Sequence, residues 1–239
     1  MDNELLKENC EVFDSENDFD YFFEKEHQIR SDIVLELIKD KINPESKKMN
    51  LLSLACSTGV IEEKIKKNLN ISVVGIDAAT QALKRATKRG LLTRHGDISK
   101  KLPFKDNFFD FIFAGEVIEH IFDTKAFLNE IHRVLKPGGY VVITTPNLAR
   151  IDDRLKLLFG KTPRQTSPIH THLHLHIRPF TFDSLKKSLM ACGFSDIILR
   201  TNSFTIDFFD QEIKVYSKFL SRMFPAFGSA LIVRAKKFT

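Results

Sequence analysis

Two acidic residues and a histidine lie close together in the middle of the sequence, at a spacing that suits chemistry. Glu116, Glu119 and His120 occupy positions i, i+3 and i+4, so a helix would place all three on one face. Two carboxylates and an imidazole on one face could bind a hard divalent cation or position a general base. The alternative is that Glu119 and His120 only hold the local loop through hydrogen bonds.

A row of alternating histidines follows later in the chain. His170, His172, His174 and His176 would all point to one side of an extended segment. Such a row can bind a transition metal, donate hydrogen bonds to an anionic ligand or supply a base. The alternative is a polar loop edge in which only one of the histidines takes part in chemistry.

A loop of small residues and two later acids are placed as a nucleotide site requires. Small residues in the loop at 56–59 let a ligand approach the backbone closely, and a helix that begins at Val60 would direct its amide groups towards it. Asp77 comes 18 residues after this loop, where an acid can accept both hydroxyls of a ribose. Asp97 could then accept from the exocyclic amine of adenine, with Ile98 covering a ring face. The alternatives are a helix N-cap for Asp77 and a simple turn for Asp97.

Strands and helices alternate along the segment that carries these residues. Short apolar runs predict strands, and amphipathic runs with a 3.6-residue period predict helices between them. The predicted strands are 50–55, 71–76, 91–95, 109–114, 140–145, 197–201 and 229–235, and the predicted helices are 19–42, 60–69, 80–89, 125–135, 183–191 and 212–224. This alternation indicates a sheet covered on both faces. We therefore predict an α/β fold with a Rossmann-like, doubly wound, seven-stranded, mostly parallel sheet and an antiparallel last strand.

Length and composition fit one domain in a reducing compartment. The 239 residues suit a single domain, and three widely spaced cysteines imply no disulfide framework. No apolar run approaches the length of a membrane span, and the acidic N-terminus does not resemble a secretory signal. We therefore expect a cytoplasmic protein. The net charge of +5 is spread over short lysine clusters, which favours a solvated surface over a nucleic-acid track.

Three runs stand out by their order and spacing. They are 102–112 (LPFKDNFFDFI), 116–121 (EVIEHI) and 134–139 (VLKPGG). Together they resemble the class I S-adenosylmethionine (SAM)-dependent methyltransferases, and they are most similar to the branch that includes the ubiquinone-biosynthesis O-methyltransferases and many small-molecule enzymes. The resemblance covers roughly residues 48–200.

The resemblance implies SAM as the methyl donor. It would be bound in the part at 48–145, between an N-terminal helical cap at 1–45 and a substrate-side part at 146–239. The family's glycine loop corresponds to residues 55–59, its ribose acid to Asp77, its adenine-side acid to Asp97, and the residue that lines its methyl-transfer site to Glu116. The expected SAM-contacting residues are Ser53, Ala55, Cys56, Ser57, Gly59, Asp77, Ala78, Asp97, Ile98 and Glu116.

The loop departs from the family pattern at three positions. The family usually has an acid where this chain has Ser53, and glycines where it has Ala55 and Ser57. Alanine and serine are small enough to leave room for a nucleotide if their φ angles stay negative. The missing acid normally helps to hold the loop or the methionine ammonium. Its absence leaves open the hypothesis of a non-catalytic, methyltransferase-like partner subunit.

A second set of matches is narrower. Glu116, Glu119 and His120 are followed by Thr145-Pro146-Asn147 and by His176, five residues before Thr181. This order resembles the plant-type small-RNA 3′-end 2′-O-methyltransferases, which use a divalent metal. It implies a Mg²⁺ site formed by Glu116, Glu119, His120 and His176, and it makes RNA the alternative substrate. Against RNA, the sequence has no arginine-rich track and no aromatic stacking platform.

We therefore predict a SAM-dependent methyltransferase that acts on an oxygen or nitrogen of a small-molecule metabolite. Catalysis would rest mainly on positioning the acceptor against the methyl group. Glu116, His120 and His176 are the candidate catalytic residues, and the two histidines are the candidate bases. The expected partner is the small-molecule acceptor, and we expect a monomer or a homodimer.

Overall fold

Seven strands build the central sheet of the structure, a computed structural model that describes Lys7 and residues 25–42, 48–166, 176–208 and 211–238. They are β1 (Met49–Leu54), β2 (Ile71–Asp77), β3 (Leu92–His95), β4 (Phe109–Gly115), β5 (Leu135–Pro146), β6 (Phe194–Arg200) and β9 (Ala230–Lys237). Their order is β3-β2-β1-β4-β5-β9-β6, and β9 runs antiparallel to both of its neighbours. The predicted seven-stranded, mostly parallel sheet with an antiparallel last strand is confirmed.

Helices cover both faces of this sheet. They are α1 (Lys25–Lys39), α2 (Val60–Asn68), α3 (Thr80–Lys88), α4 (Thr124–Val134), α5 (Ile151–Leu158), α6 (Phe182–Ala191) and α7 (Lys218–Met223). Successive residues of a strand point to opposite faces, so Leu51 joins the core under α1 and α2 while Leu52 joins the core under α4 and α6. Each such fully buried leucine stabilises the fold by about 1.5–3 kcal/mol relative to an exposed one.

Local capping fixes where two of the helices begin. The Asp123 side chain accepts a hydrogen bond from the Ala126 amide at 2.9 Å, which satisfies a free donor in the first turn of α4. Thr181 and Ser184 form a reciprocal capping box at the start of α6. These two caps set the ends of the helices that cover one face of the sheet.

A buried arginine joins α1 to the sheet. Arg234 on β9 is only 1% exposed, and its guanidinium donates to the Leu37 carbonyl at 3.1 Å and to Asp40 at 2.7 Å. Both acceptors lie at the C-terminal end of α1, where helix carbonyls lack partners within the helix. The contact therefore holds α1 against the sheet, and residues 19–24 of the predicted helix lie outside the described part of the chain.

The segment after β6 differs from the prediction. Phe204–Phe208 (β7) and Gln211–Val215 (β8) pair as an antiparallel two-stranded sheet, where a helix was predicted from 212 onwards. The helix there is the shorter α7. Apolar residues alternate at Ile213 and Val215, and this period of two is that of a strand. Among the described residues, no helix combines the length and apolarity that crossing a bilayer requires.

Candidate functional site

The predicted nucleotide-binding residues lie along one edge of the sheet. The loop at 55–59 follows β1, Asp77 is the last residue of β2, Asp97 comes two residues after β3, and Glu116 directly follows β4. These four strands are neighbours in the order β3-β2-β1-β4, and they run parallel. Because ligands of open α/β sheets bind outside the carboxyl ends of the strands, this edge is the candidate binding site.

The backbone of the loop after β1 is left-handed at three positions. Ala55 has a φ of 52°, Ser57 of 44° and Gly59 of 78°. The condition that Ala55 and Ser57 keep negative φ angles is therefore not met. Only glycine adopts this region without steric penalty, so the chain keeps the glycine-type loop backbone with residues that strain it. At Gly59 a Cβ atom would also lie 2.3 Å from Leu91 Cδ1, which leaves no room for a side chain.

Asp77 ties this loop to the end of β2. Its carboxylate accepts the Ser57 amide at 2.7 Å and the Ala79 amide at 2.8 Å. The N-cap residue of α3 is Ala79, so the alternative role of Asp77 as that N-cap does not describe the structure. An acid at this position can also accept the hydroxyls of a ribose.

Asp97 sits in a tight turn after β3. It accepts from both the amide (2.9 Å) and the hydroxyl (2.6 Å) of Ser99, and Lys100 lies 3.2 Å away. Burial opposes ionisation of Asp97, but the hydrogen bonds from Ser99 and Lys100 outweigh it, so its pKa is lowered. The turn role and the adenine role are compatible, because a turn of this kind fixes the carboxylate at the edge of the site.

Glu116 faces the N-terminal helix. Its φ is 51°, and its amide donates to the Thr144 carbonyl at 2.9 Å, which fixes the residue at the end of β4. Arg30 of α1 approaches one of its carboxylate oxygens at 2.9 Å. The other oxygen is buried and has no hydrogen-bond partner among the described residues. Sequence reasoning missed this role of Arg30, because nothing in the local sequence signals a pair formed across the fold.

Glu119, His120 and His176 come together beside Glu116. Their ligand atoms all lie within 4.8 Å of one another, and the two imidazole rings meet edge to face at 4.9 Å. The segment that carries Glu119 and His120 is a 3-10 turn, Ile118–His120, where a longer helix was assumed. His170, His172 and His174 lie outside the described residues. The structure thus gathers three of the four predicted metal ligands, while Glu116 pairs with Arg30.

Glu119 is the buried member of this cluster. It is 1% exposed, it accepts a hydrogen bond from the Thr145 hydroxyl at 2.9 Å, and its other oxygen has no partner among the described residues. Burial, reinforced by the negative charge of Glu116, raises the pKa of Glu119 well above its usual range. His176 contacts the Gln165 side-chain amide oxygen at 3.1 Å through Nδ1. The cluster is thus held by several elements.

The asparagine of the Thr-Pro-Asn run, Asn147, has a structural role. The Asn147 side chain donates to the Ala226 carbonyl at 3.0 Å and to the Gly228 carbonyl at 2.8 Å. It therefore joins the end of β5 to the segment before β9. Thr145 is the member of the run that reaches the candidate site.

Comparison with known proteins agrees with this arrangement. Residues 52–143 match the family model for a methyltransferase domain. The chain is 29% identical over 150 residues to the human mitochondrial ubiquinone biosynthesis O-methyltransferase, which covers 59% of this chain and 40% of that protein. It is 33% identical over 145 residues to the demethylmenaquinone methyltransferase of Staphylococcus epidermidis, which covers 54% of this chain and 60% of that one. The segment at 52–143 is therefore similar to a methyltransferase domain.

The fold of the chain recurs in solved structures. A SAM-dependent methyltransferase of Thermotoga maritima, described as a possible histamine N-methyltransferase, superimposes with a TM-score of 0.62 at 18% identity and covers 92% of this chain and 95% of that one. At this identity the likeness concerns the fold. The match to each of the two curated relatives spans less than two thirds of the relative's length.

The candidate site also has a buried carboxylate nearby that sequence reasoning missed. Ser53 is fully buried and donates its hydroxyl to Glu62 at 2.6 Å. Glu62 lies in the first turn of α2, is 3% exposed, and has its pKa raised to about 7 by burial. Its position three residues before Ile65, on the inward face of the helix, was the signal in the sequence.

Proposed function

We propose that this chain is a SAM-dependent methyltransferase whose acceptor is a small molecule. One observation carries the proposal: the residues expected to hold the donor, from the loop at 55–59 to Asp77 and Asp97, converge on the carboxyl edge of neighbouring parallel strands. The names of the curated relatives, which act in ubiquinone biosynthesis or on demethylmenaquinone, support a small-molecule acceptor.

The residues of the site fit the donor. The loop at 55–59 has only small side chains, and Asp77 lies at the end of β2, where an acid can accept ribose hydroxyls. The partnerless, buried oxygen of Glu116 lies where the domain would place the reacting end of the donor. When bound, SAM supplies an electrophilic methyl group for an in-line displacement. The chain's own contribution is to orient the acceptor oxygen or nitrogen and exclude water, which is the main source of rate in such a transfer.

His120 and His176 are placed to remove the acceptor's proton. Their rings touch, and they lie beside Glu119 and close to the end of β4. A neutral imidazole near physiological pH is a suitable base for a phenol, alcohol or protonated amine that is held against the methyl group. Glu116 would orient the acceptor from the other side, with Arg30 fixing its carboxylate.

Binding of S-adenosylhomocysteine (SAH), the donor without its methyl group, tests the proposal. We expect wild-type protein to bind SAH in calorimetric titration, and Asp77→Ala to weaken binding about 10–100-fold because charge-assisted hydrogen bonds to the ribose are lost. Asp183→Ala, at an exposed position on α6, is the matched control and should bind like wild type. If wild-type protein does not bind SAH, the proposed methyltransferase activity is refuted and the hypothesis of a non-catalytic partner subunit is favoured.

The cluster of Glu119, His120 and His176 favours a second, metal-dependent function. Two imidazoles and one carboxylate suit Zn²⁺ or another first-row transition metal better than Mg²⁺, which prefers oxygen ligands. We propose a divalent metal here as the second candidate, and RNA 2′-O-methylation as the activity that would depend on it.

Metal titration separates the two functions. The second candidate requires that Zn²⁺ or Mn²⁺ bind wild-type protein and that His120→Ala lose the binding, whereas His132→Ala on α4 keeps it. It also requires methyl transfer to short RNA that EDTA abolishes. If the protein methylates small phenols or amines and EDTA has no effect on the rate, only the first function is supported.

A further inference from the structure

The carboxylate of Glu62 lies next to Ser53, which comes just before the loop at 55–59. Its Oε1 is 2.6 Å from the hydroxyl of Ser53, the fifth of the six residues of β1. Glu62 itself is in the first turn of α2, directly after the loop at 55–59. An acid at position 53 would project its oxygens about one bond beyond the place of the serine hydroxyl. Glu62 Oε1 therefore occupies the neighbourhood that the carboxylate of an acid at 53 would fill.

This carboxylate is buried without a cation. In the described part of the chain no lysine, arginine or histidine forms an ion pair with Glu62, and its hydrogen-bond donors are Ser53 and its own backbone. The charged group whose field reaches it is another acid, Asp77, at the end of β2. Burying a carboxylate next to a second one is costly unless a positive charge joins them. Groups placed in this way are characteristic of binding sites.

We propose that Glu62 is the residue that holds the ammonium of the methionine part of the donor, supplying from α2 the negative charge that β1 lacks at Ser53. The inference rests on the proposed function. The methionine part of the donor carries an ammonium and a carboxylate beside the sulfonium, and Glu62 is a buried acid next to Ser53 that has no ion-pair partner in the described part of the chain. Glu62 thereby offsets the charge of the ammonium, and the altered loop remains able to bind the donor.

Binding should then depend on pH through this group. Burial raises the pKa of Glu62 to about 7, and the ionisable groups that face it are Asp77 from β2 and the thiol of Cys56 from the loop. Burial raises the pKa of Cys56 far above neutrality, so the thiol carries no charge here. Below pH 7 the free protein holds a proton on Glu62 that the ligand's ammonium must displace. SAH affinity should therefore fall as the pH drops through 7.

Two ligands separate this role from a merely structural one. SAH contains the methionine-derived ammonium, and 5′-methylthioadenosine contains only the nucleoside half. We expect Glu62→Gln to weaken SAH binding about ten-fold or more and to remove its pH dependence, with methylthioadenosine binding changed less than about two-fold. Glu63→Gln is the control, because Glu63 is paired with Lys67 and Arg89 at the surface of the same helix turn. This control variant should bind both ligands with the affinity of wild type.

A double variant that moves the carboxylate from α2 to β1 makes the test independent of a folding defect. Ser53→Asp combined with Glu62→Ser returns the carboxylate to β1, and we expect it to recover SAH affinity to within a few-fold of wild type. Methylthioadenosine binding reports that each variant is folded. Equal losses for both ligands, or unchanged SAH binding in Glu62→Gln, would overturn the inference while leaving the proposed function intact. If wild-type protein bound neither ligand, the proposed function and this inference would both fall.

Discussion

Ala55 and Ser57 are two residues with a strained backbone in the loop at 55–59. Both have a left-handed backbone that L-residues with a Cβ atom adopt at an expense of about 1–2 kcal/mol. The conformation persists because the Ser57 amide is held by Asp77 and because Cys56 is hydrogen-bonded through its amide to Ile76. The conformation of the loop is thus determined by its surroundings more than by its own sequence.

Relief of this strain should stabilise the protein. Ala55→Gly removes about 1–2 kcal/mol of strain and adds about 0.5–1 kcal/mol of backbone entropy to the unfolded chain, so we expect a gain of about 0.5–1 kcal/mol in unfolding free energy. Urea denaturation measures it. Ala126→Gly, at an exposed position on α4, is the control and should lose about 0.5–1 kcal/mol. A loss of similar size in Ala55→Gly would show that the loop is not strained.

The sequence predicted some site residues and not others for a physical reason. Asp77 and Asp97 follow apolar strands at recognisable spacings, so their place at the sheet edge follows from the alternation of elements. Arg30 and Glu62 act through partners far along the chain or on another element, Glu116 and Ser53 respectively. Such pairs depend on how helices pack against the sheet, which local patterns do not specify.

Among the elements, α1 depends on one buried contact with the sheet. Arg234→Met would remove the donor of the Leu37 carbonyl and the bond between the arginine and Asp40, so we expect the unfolding free energy to drop by about 1.5–3 kcal/mol in urea denaturation. Asp40→Asn should have a far smaller effect, because the Asp40 side chain is 58% exposed. Equal effects of the two variants would mean that the arginine acts only through the ion pair and not by holding the helix end.

The same helix carries a histidine that makes stability depend on pH. Burial, together with the positive charge of Arg30, lowers the pKa of His27 from 6.5 to about 4. The unfolded chain therefore takes up a proton near pH 6.5 that the folded chain resists until about pH 4. Stability from this group is fully present above pH 6.5 and is lost as the pH falls towards 4.

Comparison with His27→Gln isolates this contribution. The unfolding free energy of wild-type protein should fall more steeply than that of the variant between pH 6.5 and 4, in urea titrations at each pH. Parallel curves over this range would show that His27 titrates normally in the folded protein.

The elements also differ in how well the sequence predicts their type and position. The strands from β1 to β5 and the helices between them were predicted because continuous apolar runs and amphipathic periods alternate there. The β7–β8 hairpin was not, because the predicted helix at 212–224 combined Ile213 and Val215 with the apolar residues of α7, although the first two alternate with the period of a strand. Pairing with β7 decided the outcome, and such pairing is non-local information.

At the scale of the whole molecule, ligand binding should be visible as stability. A ligand that binds only the folded chain stabilises it by about 2.7 kcal/mol at a hundred times its dissociation constant. For a domain of this size we therefore expect SAH to raise the melting temperature by about 5–10 °C. Asp77→Ala should show a much smaller rise at the same SAH concentration. An unchanged melting temperature in wild-type protein at saturating SAH would contradict binding to the folded state.

The position of β9 has a consequence for how the protein is made. This strand follows β5 and β6 in the chain but is inserted between them, so the two strands are not joined until residues 230–237 have been synthesised. Until then the nascent chain exposes one open edge of β5 and the unpaired strand β6, and open edges are prone to pairing with other chains. Strands β1–β4 can pair before β9 is made, whereas β5 and β6 become neighbours of one strand only when residues 230–237 follow.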